Sequence, residues 1–242
     1  MSKHEILKGL EYQGNGGLLC NDQEVLNKQK GILSNVAKQL AVNLMKGLSI
    51  SHISLPIKIF EPRSSIQRIV DFWSHASSQL VAASEEKDPV ERLKWVICFQ
   101  LCSLYICTGQ NKPFNPLLGE TNQGSFSDGT RYYCEHTCHH PPISHYLLEG
   151  PNGSFKMSGY YEFIGKMSGN AFISGLRGPC TLQFADGTVI RFNAPDFKIS
   201  GALMGERIIE ACGSLVFQDL NNHLKAVVVL STFKESGFWN KS

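Results

Sequence analysis

Apolar residues recur at Ile32, Leu33, Val36, Leu40, Leu44 and Leu48, the i, i+3/i+4 spacing of an amphipathic helix. Its other face offers Ser34, Lys38, Gln39, Asn43 and Lys46. Such a helix either packs on the domain's own core or swings, covering a pocket or touching a membrane. The next stretch, SISHISLPIKIFEP, carries Ile50, Ile53, Ile57 and Ile59 between Pro56 and Pro62 and reads as an extended segment. A second helix is predicted from about Ser64 to Ala83, burying Ile66, Ile69, Val70, Trp73, Ala76, Leu80 and Val81. A third opens on DPVE, with Asp88 as N-cap, Pro89 at the first helical position and Glu91 where a capping box needs it. It should run to about Thr108, stop at Gly109 and, being apolar on nearly every side, lie deep.

After Asn111 the period changes from helical to alternating. Phe155, Met157, Gly159, Tyr161 and Phe163 share one face of a strand, as do Leu224, Ala226, Val228 and Leu230. Turn signals recur at SDGT (127–130), EGPNG (149–153), ADGT (185–188) and DLNN (219–222). The pattern predicts helices first, then an antiparallel meander or barrel. Residues 1–28, polar and dotted with Gly14, Gly16 and Gly17, read as a flexible leader. Residues 29–242 read as one domain, with lid and helices over 29–110 and strands over 111–242.

Composition narrows the class. The chain has 242 residues, 42% hydrophobic and 18% charged, enough for one domain with a sizeable core. A formal net charge of +2 gives no global attraction to nucleic acid, so any basic site is local. The longest apolar stretch, Trp95 to Cys107, is 13 residues, short of the roughly 20 that span a bilayer. The N-terminal residues lack a signal-type apolar core, and Ser2 stands where myristoylation needs glycine. The expectation is a soluble, cytoplasmic protein whose eight cysteines, none in a CxxC pair, are reduced and whose sequons at Asn152 and Asn240 go unused.

The stretch EHTCHHPPISHY (135–146) concentrates the candidate chemistry, with four of the eight histidines. Cys134, His136, Cys138, His139, His140 and His145 include enough ligand types for zinc, but Pro141 and Pro142 stop the helix that a His136/His140 site would need. A nucleophilic His–Cys pair depends on a geometry that spacing does not supply, and no GxSxG, P-loop or dinucleotide fingerprint is present. A third reading is anion capture. Imidazoles can hold phosphate oxygens, and Lys112 and Asn115 in NKPFNPLLGE add a cation and an amide on a proline-stiffened loop. In an extended chain His139 and His140 point to opposite faces, so they meet one anion only where the backbone bends or bulges.

EHTCHHPP resembles the EQVSHHPP fingerprint of the oxysterol-binding protein family. NKPFNPLLGET (111–121), LPIKIFEPRSSIQR (55–68), DPVERLKWV (88–96) and ISGALMGERIIEACGSL (199–215) are similar to other segments of that family, in the same order. The resemblance implies an incomplete, strongly curved antiparallel β-barrel around a lipid tunnel, closed by an amphipathic helical lid. It implies a non-enzymatic binder or carrier of sterol or phosphatidylinositol 4-phosphate, with no cofactor and no metal. Lys112, Asn115, His139 and His140 would contact the phosphoinositide head group, Glu120 would be structural, and Ile32, Leu33, Val36 and Leu40 would line the lid. Membrane contact would be peripheral and transient, at the endoplasmic reticulum or other organelle contact sites. His136, Thr137 and Cys138 depart from the fingerprint. The chain stops at Ser242, where the family's domain is expected to continue, which suggests only its N-terminal portion. An open sheet edge covered by a protein partner, in a scaffold rather than a carrier, is the alternative reading.

Overall fold

The computed structural model describes residues 9–13, 17–32, 35–36, 38–39, 42, 55–109, 111–201 and 204–231. Among the described residues twelve strands form one antiparallel sheet, and two more form a small parallel pair. The sheet strands are β1 (Leu10–Tyr12), β2 (Leu18–Cys20), β5 (Thr121–Ser125), β6 (Arg131–His139), β7 (Pro142–Glu149), β8 (Phe155–Ser168), β9 (Ala171–Arg177), β10 (Cys180–Phe184), β11 (Val189–Phe192), β12 (Asp196–Ser200), β13 (Ile208–Asp219) and β14 (Leu224–Ser231). The parallel pair is β3 (Phe60–Ser64) and β4 (Lys112–Phe114).

The topology is a meander. β5, β6, β7 and β8 pair in turn. β9 and β10 both pair with β8, and β11 and β12 both pair with β13, so each couple acts as one interrupted strand. The interruptions fall at Gly178-Pro179 and before Pro195, where proline offers no N–H to the ladder. Gly178 has φ +149, and a Cβ there would run into the Tyr160 carbonyl. β14 and β2 lie along successive lengths of β13, and the described strands leave the sheet open, the incomplete barrel expected from the sequence.

The predicted turns all join neighbouring strands, and three use one device. Asp128 Oδ1 accepts from Thr130 N–H, Asp186 Oδ1 from Thr188 N–H, and Asp219 Oδ1 from both Asn221 and Asn222 N–H. The carboxylate replaces a ladder partner where the chain reverses. On β14 the alternation is as expected: Leu224, Ala226, Val228 and Leu230 pack toward the core while Val227 and Val229 are exposed.

Helices with described bounds cover one face of the sheet or its margin: α1 (Gln23–Gln29), α2 (Ser65–Arg68), α3 (Ala76–Glu85) and α4 (Pro89–Cys102). Ile66, Trp73, Leu80, Val96 and Phe99 from the helical segment meet Leu148, Phe155, Met157, Leu182, Leu215 and Phe217 from the strands in one buried cluster. Asp88 caps α4 by accepting from the Val90 and Glu91 N–H groups, with Pro89 in the first turn. Glu91 instead binds Lys94, so its side chain does not close the predicted box.

Several expectations are corrected. The segment read as a leader contains the β1–β2 hairpin, held through β2 to β13, and helix α1 capped by Asp22. The helix predicted over 64–83 is divided into α2, a 3-10 turn (Ile69–Trp73) and α3, which lets Ile66, Ile69 and Trp73 and then Ala76, Leu80 and Ala83 all face the core. α4 ends at Cys102 and continues as a 3-10 turn to Thr108; Val90, Trp95, Cys98 and Cys102 are exposed, so one face alone is buried. Ile57 to Ile59 form a 3-10 turn rather than a strand, and Ile50 and Ile53 lie outside the described residues. Among the described residues no helix is long and apolar enough to cross a membrane.

The arginine of DPVERLKWV explains why this helix seats where it does. Arg92, buried, pairs with Asp186 at 2.7 Å and donates to Thr188 Oγ1 at 2.9 Å, both in the β10–β11 turn. It also donates to the Glu86 carbonyl before α4 and stacks over Phe184 with its guanidinium carbon 5.0 Å from the ring centroid. One side chain thus fixes the helix start to a turn nearly a hundred residues away. Arg92→Ala should lower stability by about 2–4 kcal/mol in urea unfolding, with Arg92→Lys recovering only part of it. A change within about 0.5 kcal/mol would place the anchoring elsewhere.

Candidate functional site

The histidine strand departs from regular pairing at one residue. His136 pairs with Ser144, and Cys138 with Ile143, so Thr137 is an extra residue with no partner across the ladder. In a regular strand His136 and His139, three apart, would point to opposite faces. The bulge at Thr137 adds one residue and returns them to the same face. His136 Nε2 lies 3.1 Å from His139 Nδ1, their rings edge to face at 5.4 Å between centroids. His140 occupies the turn that follows, its ring 5.1 Å from that of His139 and again edge-on. Three imidazoles therefore run outward in series, His136 buried and His139 and His140 exposed.

The inner end of the series is fixed by the neighbouring strand. His136 Nδ1 lies 2.9 Å from Ser144 Oγ, and Ser144 is itself buried. Burial, then the nearby His139, lower the His136 pKa from its ordinary 6.5, while Glu120 acts the other way. The other candidate ligands are placed as follows. Thr137 Oγ1 lies 2.8 Å from His145 Nδ1, His145 packs on Tyr160, and Cys138 pairs with Ile143 on that same outer side. Cys134 faces inward, where burial pushes its thiol up to about 12, so it is no nucleophile near neutral pH. Among the described residues no three His, Cys, Asp or Glu side chains converge as a metal site, and both nitrogens of His136 are already engaged.

Lys112 and Asn115 form a second unit. The Lys112 ammonium donates to Asn115 Oδ1 at 2.8 Å and to the Pro113 carbonyl at 3.2 Å, and it sits 4.9 Å from the Phe60 ring centroid. Phe60 stacks on Phe114 at 4.7 Å, so the β3–β4 pair supplies an aromatic floor. Burial lowers the Lys112 pKa, and among the described residues no carboxylate pairs with it. Two of the three ammonium donors are used, and the Asn115 amide N–H groups are left to donate.

The strap between the two units is pinned to the histidine strand. Gly119 N–H donates to the His136 carbonyl at 2.8 Å, and His136 N–H to the Glu120 carbonyl at 3.0 Å. Glu120 Oε2 accepts from Leu117 N–H at 2.8 Å, closing the turn, and Gly119 takes φ +79 in it. Glu120 thus braces this turn through its side chain. Of the predicted site residues, His139 and His140 touch each other, Lys112 and Asn115 touch each other, and the strap joins the pairs. Of the lid residues, Ile32 is buried and Val36 half-buried, both helical, while Leu33 and Leu40 lie outside the described residues. Sequence reasoning set His136 aside, because nothing in the string signals the bulge that brings it under His139.

An apolar cavity of about 70 Å³ lies between α4 and the sheet, lined by residues including Trp73, Phe99, Met157, Tyr161 and Phe192.

A family model for oxysterol-binding protein matches residues 39–242. Oxysterol-binding protein 9 of Dictyostelium discoideum is 37% identical over 227 residues, 94% of this chain and 53% of its own length. Oxysterol-binding protein-related protein 8 of Mus musculus is 31% identical over 212 residues, 85% of this chain and 23% of its own. The chain thus spans about half, or less, of these curated relatives. The Osh1 ORD domain solved with ergosterol superposes with TM-score 0.65 and 28% identity, covering 71% of this chain and 42% of that one. The Osh3 ORD of Saccharomyces cerevisiae solved with PI(4)P gives 0.73 at 23% identity, over 96% and 58% respectively, a likeness of fold.

The buried imidazole has a consequence for stability. Below about pH 6.5 the unfolded chain binds a proton at His136 that the native ring resists, so folding stability falls with pH through that range. His136→Gln, which does not titrate, should make urea-unfolding free energy fall less steeply from about pH 7.5 to 5.5 than in the wild type. Parallel slopes for the two proteins would show that His136 titrates as it does in the unfolded chain.

Proposed function

Since the chain belongs to the oxysterol-binding protein family, we propose that it is a non-enzymatic lipid carrier or sensor, holding sterol or phosphatidylinositol 4-phosphate and exchanging it between membranes. The observation that supports the head-group assignment is the strap: backbone hydrogen bonds at His136 tie the Lys112–Asn115 unit to the exposed His139–His140 corner. A phosphomonoester carries about −1.5 to −2 charges and accepts several hydrogen bonds. The proposed donors are one ammonium, one amide and two imidazoles, each suited to that charge. The inward thiol of Cys134 stays protonated, and Ser144 is buried beneath the rings. Sterol enters the proposal from the ergosterol-bearing Osh1 domain and from the shared family. The segment whose spacing predicts a helical face of Ile32, Leu33, Val36 and Leu40 would cover the apolar part of the ligand. Work at the cytoplasmic face of organelle contact sites, with brief peripheral attachment to each membrane, would follow from such exchange.

Replacing both His139 and His140 by Ala should abolish extraction of phosphatidylinositol 4-phosphate from liposomes while sparing uptake of a fluorescent sterol. Lys112→Ala should lower extraction by about tenfold, the scale of one charge-assisted contact. Extraction that survives the double substitution unchanged would refute the head-group assignment, and loss of both lipids together would point to a general folding defect.

A further inference from the structure

His136 is the inner member of a hydrogen-bonded line, Ser144 Oγ to His136 to His139, whose outer end is exposed. The two nitrogens of an imidazole sit on opposite sides of the ring. With Nδ1 of His139 engaged by His136, its Nε2 is the atom left for a ligand. Whether Nε2 carries a proton decides if it attracts an anion or repels it.

We propose that His136 is a positioning residue that keeps a proton on His139 Nε2 in both charge states of His139, so that this nitrogen always donates to an anionic lipid head group. The inference rests on the head-group reading above and assigns a role to a residue that reading does not use. Each partner can supply the donors and acceptors this requires. When His139 is neutral, His136 Nε2–H donates to His139 Nδ1, placing the single proton of His139 on Nε2. Ser144 then donates its hydroxyl proton to His136 Nδ1. When His139 is charged it donates from Nδ1, and His136 accepts at Nε2 while donating from Nδ1 to Ser144 Oγ. A serine hydroxyl and a neutral imidazole can each donate or accept, so the line reverses without moving a heavy atom.

The line works only while His136 is neutral, and its surroundings favour that form. Burial and the adjacent His139 oppose a charge on it, and Glu120 from the strap is the one neighbour that favours it. Of the other titratable groups around it, Cys134 on the same face of β6 and Tyr161, opposite Ser144 on β8, are each pushed up to about 12 by burial and stay uncharged. His140 lies beyond His139, at the outer end.

The test compares wild type, His136→Leu, His136→Gln and His139→Ala in extraction of phosphatidylinositol 4-phosphate from phosphatidylcholine vesicles at about pH 6 and about pH 8. Leucine can neither donate nor accept, so extraction should fall about tenfold at the higher pH. It should fall less at the lower pH, since an imidazole that carries both protons needs no partner to keep one on Nε2. Glutamine, whose amide can donate or accept, should restore extraction at both. Equal losses at the two pH values would mark a merely structural role and overturn the proposal, as would a leucine variant that extracts like wild type. His139→Ala separates the two claims: if it extracts normally, the head-group reading fails. A ligand-free measurement then decides the inference, and it serves equally if His136→Leu does not fold. Imidazole ¹⁵N shifts of the wild type should show neutral His139 protonated on Nε2, and a proton found on Nδ1 overturns it.

Discussion

Two backbone hydrogen bonds, Gly119 N–H to the His136 carbonyl and His136 N–H to the Glu120 carbonyl, hold a loop and a strand in one fixed relation. They extend the β5–β6 ladder by one step beyond Thr121, into a segment that Pro116 and the Leu117–Glu120 turn keep from being strand. Because they engage the backbone of the same residue whose ring lies beneath His139, the loop cannot shift without disturbing the histidine line. Lys112 and Asn115 precede this anchor, and His139 and His140 follow it. Candidate chemistry from two distant stretches of sequence is thus referred to one point of the sheet.

That point is only as well placed as the sheet register. A slip of one residue would turn every inward side chain of β6 outward, exposing Cys134 and His136. Ser144 opposite His136 and the Asp-closed turns at 128, 186 and 219 all specify the observed pairing. Arg92 couples one of those turns to α4, whose Val96 and Phe99 pack on the same buried cluster. Helix and sheet therefore fix each other through one charged group and one apolar surface, and the histidine corner inherits that rigidity.

The bulge at Thr137 decides the character of the site. It returns His139 to the face of His136 and leaves Cys138 on the other side with His145, and among the described residues no three of these side chains converge as a metal site. It also places a buried neutral imidazole directly beneath an exposed one. The Thr137 side chain bonds to His145 on the outer face.

Much of this was legible in the residues. Alternation after Asn111 marked the strands, and Asp-Gly turns marked their ends, because both depend on contacts a few residues long. The DPVE cap and the clustered donors of KPFN and HHPP were readable for the same reason, as was the family they resemble. The β1–β2 hairpin escaped notice, since three-residue strands gain their stability from β13, nearly two hundred residues away. The break between α2 and α3, and the solvent face of α4, were likewise settled by what the helices meet. His136 is the sharpest case. Sequence supplied an imidazole with several possible uses, but its use depends on a backbone bulge, a serine from the next strand and burial by the core. Local residue chemistry determined which groups could bind an anion; long-range pairing alone determined which of them face one another.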